Sequence, residues 1–148
     1  MNLLSRILRP ANVAHAHCDG PCGVYDPASA RIAAEAVLSM EKKIAALGDA
    51  QDLATINTRT RYITIKEEQA ELVKHDLDVL WHDYFKPEHL EKYPNLHDVF
   101  WKATKLASKN KVEQDPANGE ALMAAVEEIH NIFWATKGRD IPFYRANP

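Results

Sequence analysis

DPASARIAAEAVLSMEKKIAALG, residues 26–48, reads as one amphipathic helix with both ends marked. Asp26 offers an N-cap oxygen, and Pro27 has the preset φ of a first helical position, where its missing N–H costs nothing. Ile32, Ala36, Met40, Ile44 and Leu47 recur at helical spacing up to Gly48, a residue suited to the left-handed turn that ends many helices. A second helix is expected after the polar stretch around Asn57 and Thr58, with Ile65, Leu72, Val73, Leu77, Leu80 and Tyr84 inward, ending before Pro87. Pro94 interrupts the next segment, so a short turn from Glu88 should precede a helix carrying Leu96, Phe100, Ala103 and Leu106. Asp115-Pro116 repeats the cap-and-proline start, and Leu122, Ala125, Val126, Ile129 and Phe133 lead to Gly138. Four amphipathic helices on short connections, with no strand pattern, give an all-α fold, an antiparallel four-helix bundle. Residues 139–148 are expected to form an extended arm, packed on the surface or on a neighbouring subunit.

At 148 residues the chain is one domain, large enough to bury a core without disulfide or metal staples. Its 18 basic and 21 acidic side chains point to no nucleic acid and no membrane surface as partner. No apolar run approaches the roughly 18 residues that span a bilayer. The first sixteen residues, MNLLSRILRPANVAHA, contain two arginines and no acid, so their removal would take the net charge from -3 to -5. They end in a small-residue pattern like a cleavage site, yet Arg6, Arg9 and Pro10 break the apolar run of a secretory signal. A frayed terminus and a short pro-segment are the other readings.

Helical bundles often hold di-iron carboxylate sites, which need a Glu-x-x-His motif on each of two helices. Here Glu127-x-x-His130 stands alone, as chance alone would supply. His75 and His82 read as surface or core-edge residues, the latter in an i,i+4 pair with Asp78.

His17-Cys18-Asp19-Gly20-Pro21-Cys22-Gly23 is different: two thiols and an imidazole fall within six residues, ahead of the first helix. A lone Cys-x3-Cys fits a zinc site missing other ligands, a short-loop disulfide or two free thiols. A cut before His17 changes the chemistry. The new α-amine, the deprotonated Cys18 amide and the Cys18 thiolate can then chelate one metal in two fused five-membered rings. Cys22 closes the fourth planar position and the His17 ring can reach an axial one. Planar nitrogen and sulfur donors suit Ni(II) or Cu(II) rather than zinc.

With Val24-Tyr25-Asp26-Pro27 added, this segment resembles the hook that opens mature nickel superoxide dismutases. The resemblance continues through Asp83-Tyr84-Phe85-Lys86-Pro87, Glu91-Lys92-Tyr93-Pro94 and Ile132-Phe133-Trp134, and so covers His17 to about Lys137. It implies a four-helix bundle assembled as a homohexamer. It also implies a pro-segment, residues 1–16, removed by a processing peptidase, leaving a domain of residues 17–148 with its hook at 17–25. One nickel ion per subunit would be held by His17, Cys18 and Cys22. Two superoxide ions would become oxygen and hydrogen peroxide as the metal alternates between Ni(II) and Ni(III).

By the same resemblance, Tyr25 and Tyr84 stand near the open face of the metal. Asp19 fixes the loop, Lys86 attracts the anion, and Gly20-Pro21 is cis. Family members carry a Glu and an Arg beside the axial histidine, where this chain has Ala33 and Gln69. The expected role is a cytoplasmic antioxidant enzyme. The alternatives are a non-catalytic nickel-binding or nickel-delivery module, and a helical interaction protein with incidental thiols.

Overall fold

Asp26 Oδ1 accepts the Ala28 N–H at 2.8 Å, and from there α1 runs Ala28–Ala46. This is a computed structural model, and it describes residues 23–146. The helix starts one residue later than the sequence suggests, with Pro27 at the boundary and its carbonyl accepting the Arg31 N–H at 3.1 Å. Gly48, at φ 55°, makes the left-handed exit.

Helix α2, Leu53–Val79, begins four residues ahead of Asn57, because Asp52 caps it by accepting the Thr55 N–H at 3.0 Å. The Arg59 guanidinium reaches back to the Gly48 and Ala50 carbonyls, fastening the connection to the first turns. Leu80–Tyr84 continues α2 as one π-helical turn, closed by Phe85 N–H donating to the Leu80 carbonyl at 3.1 Å. Where a turn was expected, Pro87–Lys92 forms a short helix, α3, with Pro87 leading. Helices α4, Leu96–Val112, and α5, Pro116–Thr136, complete the set, the latter capped by Asp115 accepting the Ala117 N–H at 2.9 Å.

Helices α1 and α4 each pack against both α2 and α5, and the short connections make successive long helices antiparallel. The result is the expected four-helix bundle. Its core holds Ala30, Ala34, Val37 and Leu38 from α1, Val73 and Leu77 from α2, Leu96 and Phe100 from α4, and Leu122, Val126, Ile129 and Phe133 from α5.

The inward face of α1 is not the one drawn from its largest apolar residues. Ile32 is 58% exposed, Ala36 is only half-buried, and Ala30, Ala33, Ala34 and Val37 point inward. Small residues win because α1 and α5 approach very closely. A Cβ added at Gly119 would lie 2.9 Å from Leu38 Cδ1 and 3.0 Å from Leu38 Cα. On α2, Ile65 and Leu72 are likewise partly exposed, whereas Lys66, Ala70 and Val73 are buried.

After Thr136 the chain turns at Gly138, φ 66°, and Arg139 N–H donates back to the Trp134 carbonyl at 2.9 Å. The arm then lies on its own subunit. His130 Nε2–H donates to the Ile141 carbonyl at 2.8 Å, and Phe143 meets the His130 ring edge-on. Arg31 lies over the Tyr144 ring, and Arg145 pairs with Glu120 at 2.8 Å. Among the described residues, no helix is long and apolar enough to cross a membrane.

Candidate metal centre and its cleft

The start of α1, the π-helical end of α2, α3 and the end of α5 meet at one end of the bundle. An open cleft of about 470 Å³ lies there, lined by Gly23, Tyr25, Asp83, Tyr84, Lys86, Glu88 and His89. Gly23, at φ 66°, has a backbone that L side chains rarely adopt. A π-helical turn inserts a residue into the helical repeat and re-aims the side chains beyond it, and such turns are frequent at functional sites.

Tyr25 and Tyr84, 59 positions apart in sequence, come together with ring centroids 5.7 Å apart. Tyr84 is held on several sides. Its ring stacks on His89 at 5.5 Å and 13°, and also meets Phe85 and Phe133. The Lys137 ammonium lies 5.2 Å from the Tyr84 ring centre and 4.9 Å from that of Phe133, a cation on aromatic faces. The Tyr84 hydroxyl is 2.6 Å from Thr136 Oγ1. His89 is oriented in turn: its Nδ1 accepts the Lys86 N–H at 3.0 Å, which leaves the ring proton of the neutral form on Nε2.

Of the residues singled out in the sequence, Tyr25, Tyr84 and Lys86 share this cleft. Lys86 does not stand there as an isolated cation, since Asp83 and Glu88 line the same walls. Ala33 is buried in the core and Gln69 is half-buried on α2. His17, Cys18, Asp19 and Cys22, together with Gly20-Pro21, lie outside the described residues. His82 Nδ1 donates to the backbone carbonyl of Asp78 at 2.8 Å, so the expected pair runs through the main chain.

Among the described residues, no group of three or more His, Cys, Asp or Glu side chains is arranged to hold a metal. His130, of the Glu127-x-x-His130 motif, is instead tied to the arm. The donor set legible in the sequence immediately precedes Gly23, and two thiolates with nitrogen donors suit nickel.

Three contributors were not singled out from the sequence. His89 had a faint local signal, three positions after Lys86 at a proline-led helix start. Thr136 and Lys137 had none, because nothing at the end of α5 announces a partner 52 positions upstream.

Comparison with known proteins accords with this arrangement. The family model for nickel-containing superoxide dismutase matches residues 12–137. A "Superoxide dismutase [Ni]" from Streptomyces seoulensis is 48% identical over 135 residues, 91% of this chain and 98% of its own length. One from Streptomyces coelicolor is 47% identical over the same extents. A crystal structure of a nickel-containing superoxide dismutase, with nickel ligation corresponding to the oxidized state, superposes with a TM-score of 0.74 at 50% identity. It covers 83% of this chain and 100% of its own. A native nickel superoxide dismutase structure gives the same TM-score and coverage at 47% identity. The chain therefore belongs to the nickel-containing superoxide dismutase family, an oxidoreductase family dependent on nickel.

Proposed function

We propose that the chain is made as a precursor, is cut before His17 by a processing peptidase, and then disproportionates superoxide in the cleft beside Tyr25 and Tyr84. The observation that carries this reading is that Gly23, the residue after Cys22, shares one cleft with Tyr25, Tyr84 and Lys86. Adjacent Cα atoms are about 3.8 Å apart, so a donor at Cys22 would stand next in the chain to a residue that lines the cleft. The proposed cut places the domain boundary between residues 16 and 17.

The His17 amine and ring, the Cys18 amide and thiolate and the Cys22 thiolate would hold nickel, which would supply the one-electron couple. The protein's own groups do the rest. Cleavage before His17 creates an amine where the precursor has only an amide nitrogen. Asp19 holds the loop. Lys86 contributes positive charge near the entrance of an otherwise acidic protein, tempered by Asp83 and Glu88. Tyr25 and Tyr84 form an aromatic wall that narrows access, with Tyr84 fixed by His89, Thr136 and Lys137. Two protons are taken up for each peroxide released. Ala33 and Gln69 stand where family members carry a Glu and an Arg beside the axial histidine, so support for the His17 ring would be missing or rebuilt here. Assembly as a homohexamer and a cytoplasmic location complete the proposal.

The test is the chain started at His17, loaded with nickel, against its Cys18→Ser form and the full-length precursor. The first should accelerate superoxide decay and the other two should not. Stoichiometric nickel binding without turnover would replace the enzyme reading with a nickel-delivery module.

A further inference from the structure

The direction of one proton in the cleft wall is fixed by two short contacts. Thr136 Oγ1 lies 2.6 Å from the Phe133 carbonyl, which can only accept, so the single hydroxyl proton of Thr136 goes there. The Tyr84 hydroxyl lies 2.6 Å from the same Thr136 oxygen. Two oxygens at that distance need a proton between them, and Thr136 has none left, so Tyr84 is the donor. The chain of bonds runs from Tyr84 to Thr136 to the last turn of α5. Thr136 is not among the residues that line the cleft, so the Tyr84 proton is turned out of it.

We infer that Thr136 is a positioning residue that commits the Tyr84 proton to the end of α5, leaving Tyr84 to meet the cleft as a hydrogen-bond acceptor only. This rests on the proposed function for what enters the cleft. Superoxide is an anion without a proton and gains nothing from an acceptor. Water and hydrogen peroxide carry O–H groups and can donate to it. Tyr84 thus favours water and protonated product over the anionic substrate, and Thr136 sets that preference.

Tyrosine ring vibrations in ultraviolet resonance Raman spectra distinguish a hydroxyl that donates from one that only accepts. The Tyr84 contribution is isolated by subtracting the spectrum of Tyr84→Phe. It should show one strong donor bond in the wild-type chain and in Thr136→Ser, and shift toward the position of a tyrosine bonded to water in Thr136→Val. In the nickel-loaded, His17-start enzyme, Thr136→Val should be inhibited by azide roughly ten-fold more tightly. That is the equivalent of about 1.4 kcal/mol, one hydrogen bond from the freed Tyr84 proton to an anion. Thr136→Ser should match wild type in both measurements. A Tyr84 signature unmoved by Thr136→Val, or azide inhibition unchanged when the signature moves, overturns the inference. The spectra need no nickel, so absence of dismutase activity would count against the proposed function and leave the hydrogen-bond direction still decided.

Discussion

Lys66 Nζ lies 3.2 Å from Glu41 Oε1 in the bundle interior, with side-chain exposures of only 3% and 0%. Lys66 also donates to the Glu113 carbonyl at 2.8 Å and to Gln114 Oε1 at 3.2 Å, and the Gln114 amide donates back to Glu41 Oε2. This network joins α1, α2 and the α4–α5 connection at the end of the bundle away from the cleft.

Burial pushes the Glu41 carboxyl above its usual 4.5, while the bond and charge of Lys66 oppose the rise. The folded state therefore binds that proton more tightly than the unfolded chain does. Stability from this group is full below about pH 4.5 and falls as pH rises through the raised value. Lys66→Met leaves the carboxylate unpaired and should destabilise the protein by about 3–5 kcal/mol at pH 7, and by less at pH 4. The double variant Lys66→Met/Glu41→Gln should recover most of that loss. Urea unfolding of all three proteins at both pH values checks the order, and a Lys66→Met penalty equal at pH 4 and pH 7 would contradict it.

Gly119→Ala gains up to about 1 kcal/mol of helix propensity but drives a methyl against the Leu38 backbone at 3.0 Å. Overpacking of this kind costs about 1–3 kcal/mol, so thermal melting should show a net loss. A Leu38→Ala partner substitution relieves only the Cδ1 contact, since Leu38 Cα remains in the way. Melting temperatures of the single and double variants should show no rescue.

The arm beyond residue 137 lies outside the family match, yet it covers His130 and sets Ile141 and Phe143 against the core. Ending the chain at Asp140 should lower stability by about 1–3 kcal/mol through lost apolar burial and one lost hydrogen bond. Superoxide decay should be unchanged, because no arm residue among those described lines the cleft. A loss of activity in a still-folded truncation would show that the arm serves the site.

Lys86→Ala should lower the second-order rate with superoxide roughly two- to five-fold at low ionic strength, with the difference closing as salt is raised. Stopped-flow decay at several salt concentrations tests this. A deficit independent of salt would assign Lys86 a contact role instead of an electrostatic one.

Much of this protein could be read from short stretches of chain. Asp26, Asp115 and the glycines at 48 and 138 act within a turn or two of themselves, so helix limits were legible to within a few residues. The start of α2 was missed because Asp52, and not the polar run at Asn57, makes the cap. The proposed hook is local too, since Cys18 and Cys22 would be donors by type and spacing and His17 would become one through the proposed cut.

The tertiary structure alone decided which face of each helix turned inward. Side-chain size would have buried Ile32, but the close approach of Leu38 and Gly119 favours a row of small residues. Lys66 would have been assigned to solvent until Glu41 and the Glu113 carbonyl met it from other parts of the chain. Tyr84 could be matched to its family position from sequence. Its pairing with Thr136, and so the direction of its proton, depends on two helix ends separated by 52 positions and brought together only by the bundle. Donor chemistry is a property of residue type and spacing, whereas packing faces and proton directions belong to contacts between distant segments.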